Sequence, residues 1–248
     1  MRYFMDISYH GGDFHGWQSQ DNAYTVQQSI EEAFAKILGI KIPITGSGRT
    51  DTGVHARQQI AHFDMEKEAN PAKLAYQLNA VLPKSVSVNY IAPVTNEAHA
   101  RFDAVSRKYD YYIHTGKDPF KDGLSYYFKP ELRTDLIAEA CAILKSEKDF
   151  ESFSRVKTEV NNFFCDIYEA DWQTVPGGYQ FTIKANRFLR GMVRAIVGTL
   201  IDVGLSKLSV ADFALIVRKK DRKAAGAAAP PHGLFLSEVI YPNHIYTR

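Results

Sequence analysis

One order of elements occurs twice along this chain, and that repetition restricts its fold more than any other feature of the 248 residues. Arg2-Tyr3-Phe4-Met5-Asp6-Ile7 opens the first pass and Arg107-Lys108-Tyr109-Asp110-Tyr111-Tyr112 the second, each a strand-like run rich in aromatic side chains. After the first opening, Thr25-Val26-Gln27-Gln28 has the form of a capping box. Val26, Ile30, Phe34 and Ile37 then recur at helical spacing until Gly39, which predicts a helix over 26–38. Asn70-Pro71, a cap followed by proline at the first helical position, starts a second helix through Leu74, Leu78 and Val81 that stops at Pro83. Strand-like stretches at 3–9, 59–64 and 86–90 surround these helices.

The second pass places a strand at 108–113 and an amphipathic helix at 135–144. Stretches 163–174 and 179–185 then pair across the turn Pro176-Gly177-Gly178. A long helix is predicted over 188–203, ending at Gly204, and another from Ser209, whose side chain can cap; a last strand covers 234–241. The two passes describe a mixed α and β chain with a trace of internal duplication. The Ala/Pro/Gly stretch at 224–231 reads as a surface connection.

Hydrophobic residues make up 45% of the chain and charged ones 23%, which suits a folded globular protein and excludes disordered or collagen-like classes. No apolar run approaches the roughly 18 residues of a membrane span, and Met1-Arg2-Tyr3-Phe4-Met5-Asp6 lacks the apolar core of a secretory signal, so a cytoplasmic protein is expected. Cys141 and Cys165 are isolated and suggest buried thiols instead of a disulfide or metal site. His55 and His62 are seven apart, nothing has the HExxH form, and the glycines follow neither the Walker nor the GxGxxG pattern; no metal and no cofactor is expected. A net charge of +2 argues little for nucleic acid, so the placement of cations matters. Arg187, Arg190 and Arg194 are spaced to share one side of the long helix, and Arg218-Lys219-Lys220-Asp221-Arg222-Lys223 is a basic run that either tracks phosphates or is simply solvated.

Gly46-Ser47-Gly48-Arg49-Thr50-Asp51-Thr52-Gly53-Val54-His55-Ala56 carries the most chemical information. Its glycines allow tight turns and close approach of a ligand, and it presents a cation and an anion two residues apart. On composition alone a glycine-rich loop with a surface ion pair is the better explanation.

Arg49-Thr50-Asp51-Thr52-Gly53-Val54-His55-Ala56 resembles the Arg-Thr-Asp-x-Gly-Val-His signature of the tRNA pseudouridine synthase A family. Gly16-Trp17-Gln18, His99-Ala100-Arg101-Phe102, Arg107-Lys108-Tyr109, Lys184-Ala185-Asn186-Arg187-Phe188, Met192-Val193-Arg194 and His232-Gly233-Leu234-Phe235-Leu236 are similar to further stretches of it, in the same order. His10 stands where the family commonly has aspartate, at a turn that tolerates either. The resemblance implies an α+β fold of two similar α/β halves whose antiparallel sheets meet at a central basic cleft. Residues 1–105 would carry the aspartate loop and 106–248 complete the cleft. It implies that Asp51 is the catalytic carboxylate, that Arg194 pairs with it, that Tyr109 stacks on the target base, that Leu234 lines the uracil pocket and that Arg49 helps displace the target nucleotide. The implied substrate is the anticodon stem-loop of tRNA, and the implied assembly a homodimer. Two other classes fit parts of the sequence: an RNA-binding protein without catalysis, against which Arg49 and Asp51 argue, and a glycoside hydrolase, which generally needs a second positioned carboxylate.

Overall fold

A computed structural model describes residues 1–155 and 160–247. It divides into two compact units, Met1–Val105 together with Phe235–Arg248, and Ser106–Leu234. The chain from Phe235 on thus returns to the first unit, where a linear reading puts everything after 105 in the second.

In the first unit β1 (Arg2–Tyr9) lies between β4 (Val86–Val94) and β3 (His55–Asp64), antiparallel to both. The short β2 (Thr45–Gly46) is antiparallel to β3, whereas β9 (Leu234–Ile240) joins β3 in parallel through His55↔Phe235 and Ala56↔Leu236. The expectation of antiparallel sheets therefore holds for most pairs and fails here, because β9 arrives from far along the chain and not by a hairpin. Helix α1 (Val26–Leu38) forms where its spacing predicts. Thr25 Oγ1 accepts the N–H of Gln28, and Gly39 closes the helix at φ 73°. Its Phe34 meets Phe63 of β3 (5.0 Å between ring centroids), which in turn stacks on Tyr3 of β1 (5.5 Å), so the alternating apolar positions of β1 face the helix. Helix α2 (Pro71–Val81) is capped by Asn70 Oδ1 on Lys73 N–H and ends before Pro83, as its pattern indicates.

Strand β4 runs past the predicted 90 to Val94 and includes Pro93. Pro93 is tolerated because β4 is the outer strand: its carbonyl accepts Thr247 N–H on the side away from β1, so the missing proline N–H costs no ladder bond.

The second unit contains β5 (Ser106–His114), β7 (Ile167–Val175) and β8 (Gly178–Ala185), with β8 antiparallel to both others. The predicted hairpin forms, but β7 begins four residues later than the pattern suggested. Pro176-Gly177 makes a two-residue turn with Gly177 at φ 77°, and a Cβ on Gly178 would stand 2.0 Å from Ile113 O. The two-residue β6 (Tyr126–Tyr127), parallel to β5, has no sequence signal. Helix α3 (Thr134–Ser146) packs on β7, and α5 (Val210–Arg218) starts with a full capping box between Ser209 and Asp212.

Helix α4 (Met192–Gly204) begins four residues after the predicted start. Gly191 at φ 73° breaks the pattern, Asn186 Oδ1 accepts the N–H groups of Asp166 and Arg187, and Arg190 O accepts Arg155 N–H. Arg187 and Arg190 therefore do not share a helix face with Arg194. The predicted start at 188 falls on an irregular segment that ends in a turn, where Leu189 O accepts Met192 N–H (3.1 Å).

One pH effect follows from packing in the first unit. His62 of β3 is buried; its Nδ1 accepts Ala100 N–H (3.1 Å), and the His99 ring lies 4.6 Å away. Burial, then the charges of His99 and Arg2, push its pKa from 6.5 down to about 4. Between those values the unfolded chain binds more protons than the folded one, so stability is full above pH 6.5 and falls as pH drops toward 4. The expected loss is about 1–3 kcal/mol. Urea midpoints measured across that window should decline less in His62→Asn, which keeps an acceptor for Ala100; identical declines would contradict the assignment.

Candidate active site

The loop between β2 and β3 is fixed from several directions. Gln59 of β3 is fully buried; it accepts from Ser47 Oγ and donates to Gly48 O (2.9 Å). Thr50 is pinned by Tyr9 through a buried hydroxyl–hydroxyl bond (2.7 Å), and its carbonyl accepts Trp17 N–H (3.2 Å). Asp51 O accepts Val54 N–H (3.1 Å) across a turn in which Gly53 takes φ 78°. Gly16, at φ 91°, lies so close that an added Cβ would stand 2.6 Å from Thr50 O and 3.3 Å from the Asp51 carbonyl carbon. Gly11 is as confined: its Cβ would reach Val54 O at 2.0 Å, and its N–H is donated to His55 Nδ1 (3.0 Å).

The backbone at Asp51 is thus set by residues 9–17, by the turn at 51–54 and, through Gln59, by β3. Asp51 is half-buried and Arg49 exposed. Of the loop glycines only Gly53 has positive φ; Gly46 is required because a Cβ would meet the Trp17 ring at 2.5 Å, and Gly48 faces open space. His10, the departure from the family pattern, caps the short turn Gly11–Asp13 by accepting Gly12 N–H (3.3 Å), a role that aspartate also fills.

The other expected site residues belong to the second unit. Tyr109, on β5 opposite Ile183, is half-buried, with its ring edge-to-face with Phe188 at 5.1 Å. Arg194 lies in the first turn of α4; its Nε donates to Ala229 O (2.7 Å), while its own carbonyl accepts Ala229 N–H (2.9 Å). Leu234 is buried at the start of β9, directly after the turn Pro231–Gly233.

Two sequence readings change. Residues 224–231 are not a loose surface connection but a strap bound along α4. Thr199 Oγ1, fully buried, accepts Gly226 N–H (3.0 Å), a Cβ on Gly198 would stand 1.8 Å from Ala227 O, and Tyr111 Oη donates to Pro230 O (2.8 Å). The small residues of the strap allow that close approach, which composition alone cannot distinguish from flexibility. The basic run is partly engaged within the unit: Arg218 pairs with Glu147 (2.7 Å), Lys220 with Asp149 (2.8 Å), and Arg222 donates to the carbonyls of Ala225 and Gly226. Thr199 and Gln59 shape the site's surroundings without any local sequence signal, and Gly16, although it lies in the motif Gly16-Trp17-Gln18, carries no sign there of its contact with Thr50, since each acts on a partner remote in sequence. Both cysteines are buried, and burial pushes their thiols up to about 12. Among the described residues no three His, Cys, Asp or Glu side chains could together hold a metal ion, and no helix is long and apolar enough to cross a membrane.

Comparison with known proteins agrees with the signature. A family model described as tRNA pseudouridine synthase matches residues 7–103 and 140–242. Proteins named tRNA pseudouridine synthase A are similar over nearly their whole length. The one from Parabacteroides distasonis is 48% identical over 99% of this chain and 98% of its own, and that from Porphyromonas gingivalis 45% over 99% of both. The Bacillus subtilis protein is 41% identical over 98% of this chain and all of its own. With a family model covering most of its length and full-length relatives at this identity, the chain belongs to the tRNA pseudouridine synthase family.

Proposed function

We propose that this protein isomerises uridine to pseudouridine on the 3′ side of the anticodon stem-loop of tRNA, with Asp51 as the catalytic carboxylate. The observation that carries the reading is the signature loop itself: Asp51 sits half-buried on a backbone held by Gly16, Thr50 and Gly53, in a chain similar end to end to tRNA pseudouridine synthase A. The reaction breaks the N-glycosidic bond, turns the uracil over, joins its C5 to the same ribose carbon and moves the C5 proton to N1, so atoms balance without a redox partner. Asp51 acts either as a nucleophile on base or sugar or as the base that removes a ribose proton.

In this reading the two halves flank a basic cleft. Arg194 pairs with Asp51 and aims it. Tyr109 stacks on the extruded uracil, Leu234 lines its pocket, and the exposed Arg49 helps displace the target nucleotide from the stem. Mapping pseudouridines in tRNA from cells with and without the protein tests it. Loss confined to the 3′ side of the anticodon arm is expected, and an unchanged map refutes the assignment.

A homodimer in the cytoplasm completes the proposal. A tRNA is large beside a 28.0 kDa chain with a net charge of +2, and pairing two copies enlarges the basic surface. Sedimentation without RNA should give about twice the chain mass, and tRNA affinity should fall steeply with salt. A fully active monomer would overturn the dimer and leave Asp51 untouched.

A further inference from the structure

The strap at 224–231 ends three residues before Leu234 and touches Arg194, two residues to which the proposed function gives substrate roles. Its attachment to α4 is specific. Arg194 and Ala229 exchange backbone N–H and side-chain bonds at one point. One turn further along the helix, Thr199 donates to Ala195 O (2.8 Å) and accepts Gly226 N–H (3.0 Å). Gly198 gives the strap room to lie directly on the helix, Arg222 Nη1 reaches the Gly226 carbonyl (3.1 Å), and Tyr111 Oη reaches that of Pro230 (2.8 Å). A stretch of alanines and prolines has little side-chain means of holding itself, so these anchors fix its carbonyls in space.

A guanidinium that gives Nε–H to a fixed carbonyl has its plane and rotation set, and it meets a carboxylate with its Nη1/Nη2 edge. We propose that the strap is a positioning device for Arg194: Thr199 and Tyr111 hold the Ala229 carbonyl, and that carbonyl orients the guanidinium for its work at the reaction centre. This rests on the reading of Arg194 given above. Thr199 and Tyr111 are positioning residues, acting through the strap and not on substrate.

Thr199→Val removes the acceptor for Gly226 N–H at nearly constant volume, and Thr199→Ser restores it. In single-turnover assays Thr199→Val should slow the chemical step by about ten- to a hundredfold, the scale of a small misplacement of a reacting group, while tRNA Kd stays within about twofold. Thr199→Ser should return to near the wild-type rate. In an Arg194→Ala background, itself slow in the chemical step, adding Thr199→Val should cost nothing further, because the strap acts only through Arg194. Tyr111→Phe, which removes a single hydroxyl, repeats the test if the valine variant folds poorly. Wild-type rates in both strap variants beside a slow Arg194→Ala overturn the positioning role and leave the function standing. Equal losses in valine and serine variants, or additive losses with Arg194→Ala, also overturn it. An Arg194→Ala protein with an unchanged chemical step removes the reading of Arg194 and the strap's role together.

Discussion

Replacing Asp51 by asparagine is expected to lower the single-turnover rate on purified tRNA by at least about a thousandfold, the scale of losing an essential nucleophile or base. Affinity for tRNA should stay within about threefold, because binding to a polyanion rests on dispersed cations. The structure makes the test clean: the turn that carries Asp51 is closed by backbone atoms, Asp51 O and Val54 N, and Gly53 supplies the positive φ, so the change of side chain leaves the loop in place. An amide has neither the charge to attack carbon nor the basicity to take a ribose proton, so both routes open to Asp51 close together. Asp51→Ala, in which deamidation cannot regenerate the acid, should behave the same way. Turnover near the wild-type rate in either protein would sink the mechanism.

Gly16→Ala is expected to have a large effect although Gly16 is not itself a reacting group. At φ 91° a side chain is strained in any surroundings, by about 1–2 kcal/mol, and here the added carbon also meets Thr50 O at 2.6 Å and the Asp51 carbonyl carbon at 3.3 Å. Those neighbours are backbone and cannot swing aside, so the segment at 50–52 must move. Stability should fall by about 2–4 kcal/mol, and the chemical rate of the still-folded protein by about ten- to a hundredfold. Gly39→Ala separates the two causes: φ is 73° at the end of α1 but nothing lies within 4 Å. It should lose about 1 kcal/mol in denaturant melts and turn over at the wild-type rate. A Gly16→Ala enzyme as fast as Gly39→Ala would show that the loop tolerates displacement.

Local chemistry made much of this legible. Thr25 and Gly39 bracket α1, Asn70 and Pro83 bracket α2, and Ser209 caps α5, because caps act within three or four residues of the helix they close. The start of α4 is not legible, since Phe188, Leu189 and Met192 continue an apolar pattern while Gly191 interrupts the backbone, and a pattern of side chains does not record φ. The same limit hid the contacts around the site. Asp51 stands in eight contiguous residues that match a family signature, and that match, not their composition, singles it out. Gly16 meets Thr50 and Thr199 meets Gly226 only after the chain has folded, so nothing adjacent to either residue announces its partner. The strap is the extreme case: alanine, glycine and proline are the residues of flexible linkers, and also those that allow a backbone to lie on a helix.

The return of the last strand to the first unit governs how this protein is made. Strand β3 pairs with β9 through His55↔Phe235, the His55 ring stacks on Phe235 at 4.5 Å, and Val239 donates to Gln58 from 181 positions away. A ribosome adding roughly 5–20 residues each second needs about 10–35 s to travel that distance. Throughout that interval β1, β2 and β4 can form on β3, while the end of its edge at His55 and Ala56, which β2 does not reach, stands open as a template for other chains. Long-range closure of this kind is also slow in itself, because the entropy of a large loop is lost before its contacts form. The start of β3, the strand that follows Asp51, is among the last parts to be sealed, and a chain interrupted before Phe235 carries the whole signature without the strand that pairs with His55 and Ala56.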